Sequence, residues 1–178
     1  VEQKQIVAVE TAYRQGQMYL ATCATNNCKD LAIRLETLYA VHLNDHGKHD
    51  GAIARIELLL NKENLTPEQE VNIIQTANAA LLELGDYDKV LKNALRFRTL
   101  NQAIRDTSRE ILTLHDLGIA SYYLHQFEES LEYSQEALSL ARSYGQERPL
   151  KHSLYLLGEA FIDIGQPQAA SPFLEELK

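Results

Sequence analysis

The chain has 178 residues, 45% of them hydrophobic and 24% charged, with a formal net charge of −8. That apolar share is enough to bury a core and excludes disordered, collagen-like and disulfide-dense classes. The acidic balance, with no cluster of Lys and Arg, argues against nucleic acid and acidic lipid surfaces as partners, and no apolar run approaches the roughly 18 residues of a membrane-spanning helix.

Residues 2–22 read as an amphipathic helix with Ile6, Val9, Tyr13 and Leu20 on or near one face. It would pack on the first helix pair as a leftover half-repeat or cap. Residues 23–30, CATNNCKD, are small, polar and turn-rich, and read as a separator. They hold both cysteines, Cys23 and Cys28. Two readings stay open: a disulfide across the loop, which implies an oxidising compartment such as a periplasm, or two unrelated thiols.

Asp30 to about His46 and Ala52 to about Asn61 form the first helix pair. His42, His46 and His49, with Asp45 and Asp50, have spacings compatible with metal ligands on one helical face and the following turn. The competing reading, packed or solvated histidines in the hairpin, is preferred, and no metal or cofactor is assigned. Thr66, Pro67 and Gln69 mark a helix start as N-cap, first helical residue and capping-box partner. The apolar series Val71, Ile74, Ala77, Leu81 and Leu84 carries that helix to Gly85. Its partner spans about Tyr87 to Asn101, and Arg96, Arg98, Arg105 and Arg109 form a solvated basic stretch with acidic neighbours.

Asp106 or Thr107 opens a third pair. Leu114, Leu117, Ala120 and Leu124 share one face, His125 and Gln126 make the turn, and Leu131, Ser134, Ala137 and Leu138 face back. The pair ends near Tyr144-Gly145. Pro149 lies near the start of a last pair, whose first helix ends at Gly165. Pro167 suits a first turn, whereas Pro172 would remove a hydrogen bond and kink the final helix.

These pairs repeat. Ala40, Asn78, Gly118 and Gly158 recur at 38 to 40 residue intervals, followed in step by turn residues Gly47, Gly85, His125 and Gly165. The second helices match as Ala52, Val90, Ser130 and Ala170, then Ile56, Ala94, Ser134 and Leu174. Small residues at such positions let helices approach closely, and glycine can adopt the left-handed conformation that ends one helix.

The pattern resembles the tetratricopeptide repeat family, in a long variety of about 40 residues against the usual 34 or so. It departs from the family by lacking tryptophan and a regularly placed closing proline. The resemblance implies an all-α, right-handed superhelical array of antiparallel helix pairs. One domain over 1–178 is expected, with an N-terminal helix at 1–22 and repeats at about 33–65, 66–105, 106–146 and 147–178. A start at Val1 and an end inside a helix are what a piece of a larger protein would give.

Family members commonly hold a protein or peptide segment along a concave face lined by the first helix of each pair. The residues matching that face are Arg34, Thr37 and Asn44, then Asn72, Gln75 and Thr76, then His115, Asp116, Tyr122 and Tyr123, then His152, Tyr155 and Glu159. They are mostly not the Lys, Arg and Asn types with which chaperone-tail adaptors clamp a carboxylate. The expected function is a non-catalytic scaffold or sensor module of a larger, bacterial signalling or regulatory protein, cytoplasmic or periplasmic. Self-association into a homo-oligomer is the alternative. A remote one is an HD-type metal phosphohydrolase, suggested by His115-Asp116; the sequence carries no Walker loop, Gly-x-Ser-x-Gly elbow or His-Glu-x-x-His helix.

Overall fold

The computed structural model describes residues 2–23 and 25–178, and their side chains except those of residues 2–5 and 26. Among the described residues there are nine helices and no strand: α1 Glu2–Ala21, α2 Asn26–Asp45, α3 His49–Leu60, α4 Pro67–Leu84, α5 Tyr87–Ile104, α6 Thr107–Tyr123, α7 Phe127–Tyr144, α8 Glu147–Asp163 and α9 Pro167–Glu176. None is long and apolar enough to cross a membrane. The chain forms two compact units, Val1–Ala80 and Leu81–Lys178, divided within α4.

Local chemistry sets the hairpins. Gly47, Gly85 and Gly165 all have positive φ, between 69° and 78°, and His125 takes the same left-handed conformation at 59°. After each, an N–H reaches five residues back: Lys48 to Leu43, Asp86 to Leu81, Gln126 to Ser121 and Gln166 to Phe161, at 2.8–3.0 Å. This is the Schellman closure, which satisfies carbonyls left over at a helix end. The next helix starts two residues after each left-handed residue. At α4 the capping box forms, the Thr66 N–H donating to Gln69 Oε1 at 2.9 Å and the Gln69 N–H to Thr66 Oγ1 at 3.2 Å.

Two helix starts differ from expectation. α2 begins at Asn26, so most of the polar stretch read as a separator is helical; α3 begins at His49 rather than Ala52. The first four N–H groups of a helix have no internal acceptor, so polar residues are as much at home in a first turn as in a loop. Composition alone does not separate the two. At the other end α9 runs on through Pro172.

In the first unit, α2 packs on α1 and α3. Ala40, Ala52, Ile56, Leu59, Val71, Ile73 and Ile74 are buried. α1 is held by polar contacts: the Tyr13 hydroxyl donates to Glu36 Oε1 at 2.6 Å and accepts from Arg55, whose guanidinium also pairs with Glu36 at 2.7 Å and lies over the Tyr13 and Tyr39 rings. Those rings stack at 3.8 Å. Burial, then the hydrogen bond to Glu36, pushes the Tyr13 phenol up to about 12.

The second unit is packed through small residues. Ala94, Leu114, Leu117 and Ala137 form one cluster, and Leu138, Leu154 and Leu157 another. A Cβ on Gly118 would lie 2.8 Å from Ser134 Oγ and 3.1 Å from Leu156 Cδ2. The close approach also lets Ser130 Oγ donate to the Gly118 carbonyl at 2.9 Å. The basic stretch finds acidic partners as the sequence suggests, with Arg98 bridging Glu110 and Glu136 at 2.8 and 2.6 Å, and Arg109 near Asp106.

Candidate functional site

In the second unit α6 packs on both α7 and α8. Leu114, Leu117, Gly118 and Ser121 are buried, while His115, Ile119 and Tyr122 follow each other at i, i+4 and i+7 on another strip. On α8, His152, Tyr155, Leu156 and Glu159 have matching spacing. With Tyr123, these residues line a pocket of about 390 Å³. Its floor is apolar, from Ile119 and Leu156.

The walls are partly engaged already. The imidazoles of His115 and His152 stack at 4.9 Å. Burial, then the electrostatic influence of His152 and Arg148, pushes His115 down to about 4, so it is neutral at physiological pH. The Tyr122 hydroxyl donates to Asp163 Oδ2 at 2.5 Å, and this bond, followed by burial, holds its pKa well above the usual phenol range. Tyr123 stacks on Tyr87 at 4.4 Å, yet stays 53% exposed. Tyr155 is 56% exposed and makes no hydrogen bond among the described residues.

The first unit has a pocket of about 430 Å³ between α2 and α4. Arg34, Thr37, Asn72, Gln75 and Thr76, placed on the concave face from the repeat pattern, all line it. So do Ile33, Leu38, Val41, Gln69 and Ala79, which the repeat pattern did not single out. A helical signal for two of them is present in the sequence, since Leu38 and Val41 follow Arg34 at i+4 and i+7. Apolar residues at that spacing read equally well as core, yet Leu38 is 65% exposed.

Asn44 and Asp116 line neither pocket. Asn44 lies in the last turn of α2, where its side-chain oxygen is 2.6 Å from His49 Nδ1 and ties the hairpin together. Asp116 follows His115 by one residue, which on a helix turns it about 100° away. In the histidine-rich turn His46 Nδ1 contacts the His42 carbonyl at 2.7 Å and the two rings lie 4.3 Å apart. Among the described residues no group of three or more His, Cys, Asp or Glu is arranged to hold a metal ion. Cys23 and Cys28 lie within bridging distance across the α1–α2 turn, with Cα atoms 6.0 Å apart.

Residues 109–177 match the tetratricopeptide repeat family model. No curated protein matches significantly. Among solved structures, BtubC (BKLC) from P. vanneervenii aligns over 99% of this chain and 73% of its own, with a TM-score of 0.87 at 18% identity. PlcR of Bacillus thuringiensis in its apo form aligns over 99% and 69%, with a TM-score of 0.70 at 17% identity. At such identities the likeness establishes the TPR-like helical-repeat fold.

Proposed function

We propose that this chain, which belongs to the tetratricopeptide repeat family through residues 109–177, is an interaction scaffold that holds an extended protein segment in the pocket between α6 and α8. Repeats of this family are generally non-catalytic and bind proteins or peptides. The observation that carries the reading is the exposed Tyr155 beside the histidine stack and the apolar floor. Aromatic rings over such a floor offer large contact area at little entropic cost, the usual make-up of a binding hot spot. The pocket between α2 and α4, with amides at its rim, is a second place where the same or another segment is held.

The finer role, a sensor or docking module within a larger signalling protein, follows family habit, and the partner's identity tests it. Catalysis is not proposed: His115 lies in the pocket, but Asp116 does not accompany it. Self-association is the second reading, with α9 as its candidate face, where Phe173, Leu174 and Leu177 pack on α8 but stay partly exposed. Sedimentation across a concentration range separates it from segment binding.

The experiment is capture of a partner followed by substitution. Tyr155→Ala should weaken binding by about 2 kcal/mol, roughly thirtyfold, without unfolding the chain. Glu132→Ala on the exposed side of α7, outside the residues that line the pocket, should change nothing. Equal loss in both variants would put the binding surface elsewhere.

A further inference from the structure

Opposite charges stand along α8, Glu159 in the pocket between α6 and α8 and Arg148 in the depression beyond its far end. Arg148, His152, Tyr155 and Glu159 follow each other along α8 at i, i+4, i+7 and i+11, one stripe about 16 Å long at 1.5 Å per residue. Arg148 and His152 line a shallow depression that adjoins the pocket, and the Arg148 charge is felt at His115, which places it at that end. Glu159 lines the pocket at the other end, where its charge is felt at the Tyr122 phenol.

The neighbouring charges are engaged. Lys151 pairs with Glu147 at 2.7 Å, and Asp163 accepts from Tyr122. Arg148 and Glu159 make no hydrogen bond or ion pair among the described residues; Glu159 lines the pocket with Ile119 and Leu156, and Arg148 is exposed in the adjoining depression.

We infer that the partner is an extended segment of another protein carrying an acidic residue at the Arg148 end, a basic residue at the Glu159 end and an apolar side chain between them over Ile119 and Leu156. The spacing follows from geometry. An extended chain rises about 3.3 Å per residue, so 16 Å places the base about five positions from the acid. At that separation the two ends lie more than a Debye length of about 8 Å apart, so each pairing acts independently of the other.

This inference rests on the pocket between α6 and α8 being the binding site, and the test separates the two claims. Capped, fluorescently labelled peptides share one apolar centre and differ only in their end residues: acid with base, acid with acid, base with base, or neutral at both. Anisotropy titration of the full chain should rank the acid-with-base peptide tightest. Glu159→Lys should weaken that peptide about fivefold and make the doubly acidic one the best ligand, as solvent-facing ion pairs are worth up to about that factor each. Arg148→Glu should do the mirror image with the doubly basic peptide. Peptides that lose affinity with Tyr155→Ala but ignore both charge reversals would overturn this inference and leave the pocket standing. Peptides that bind regardless of Tyr155→Ala, or a neutral peptide that binds tightest, would overturn it as well, the former taking the pocket with it.

Discussion

The two pockets share a place in the repeat and differ in what their walls are made of. Between α2 and α4 the lining is aliphatic with an amide rim, whereas between α6 and α8 it is aromatic and imidazole. The units around them differ in the same sense. α1 is fastened in the first unit by a hydrogen-bonded Tyr13, Glu36 and Arg55 cluster, and the second unit by the close approach of Gly118 to Ser130 and Ser134. One repeat geometry is thus held by polar contacts in one place and by backbone proximity in another, so substitutions of similar size should have different effects in the two units.

The largest expected contrast is with pH. Ordinary histidine titrates near 6.5 and folded His115 near 4. Above pH 6.5 neither state binds the proton and there is no cost. As pH falls the unfolded state takes it up first, so stability is lost between those values and the loss levels off below. For His115 this is at most about 3 kcal/mol, and less because the ring keeps some solvent contact. Thermal unfolding of the parent and His115→Gln should therefore diverge as pH drops from 7 to 4, with the variant less sensitive. Parallel curves would show that the folded pocket accepts the proton freely.

Next in size is Gly118→Leu, which should destabilise by about 1 to 3 kcal/mol through overpacking. Gly51, on α3, has room by contrast: a Cβ there would meet only Leu43 Cδ1 within 4 Å, at 3.6 Å. Gly51→Ala should accordingly stabilise by up to about 1 kcal/mol, the usual helix preference for alanine. Denaturant midpoints of the two variants moving in the same direction would erase the contrast between the units.

A bridge between Cys23 and Cys28 closes a short loop and should contribute about 2 kcal/mol, confined to the first unit. Hydrogen exchange with and without reductant would read it out as loss of protection in α1 and α2 with α6 to α8 unchanged. Two freely reactive thiols in unreduced protein made in an oxidising compartment would show that the bridge does not form.

The smallest effect belongs to the turn at His125. It is the non-glycine member of a set that otherwise reads Gly47, Gly85 and Gly165, all left-handed. A side chain in that conformation costs about 1 kcal/mol, partly returned here by contact of the imidazole with Phe127 at 5.7 Å. His125→Gly should raise the thermal midpoint slightly, and a lowered midpoint would mean that the ring contact outweighs the backbone strain.

The sequence by itself determined the helix pairs, their spacing and which face each presents. The reason is that these are local matters. A left-handed residue, a Schellman closure or a capping box is decided within about six residues, and the buried Ala52, Val90, Ser130 and Ala170 stand where periodicity put them. Tertiary structure decided which side chains on the inner face are already engaged. His115 is stacked on His152, Tyr122 bonded to Asp163, Tyr123 stacked on Tyr87, and Asn44 turned into its own hairpin by His49. Three of those four partners lie about a full repeat away along the chain. Hydrogen bonding and stacking depend on the neighbour that packing delivers, and no periodicity within one helix carries that information.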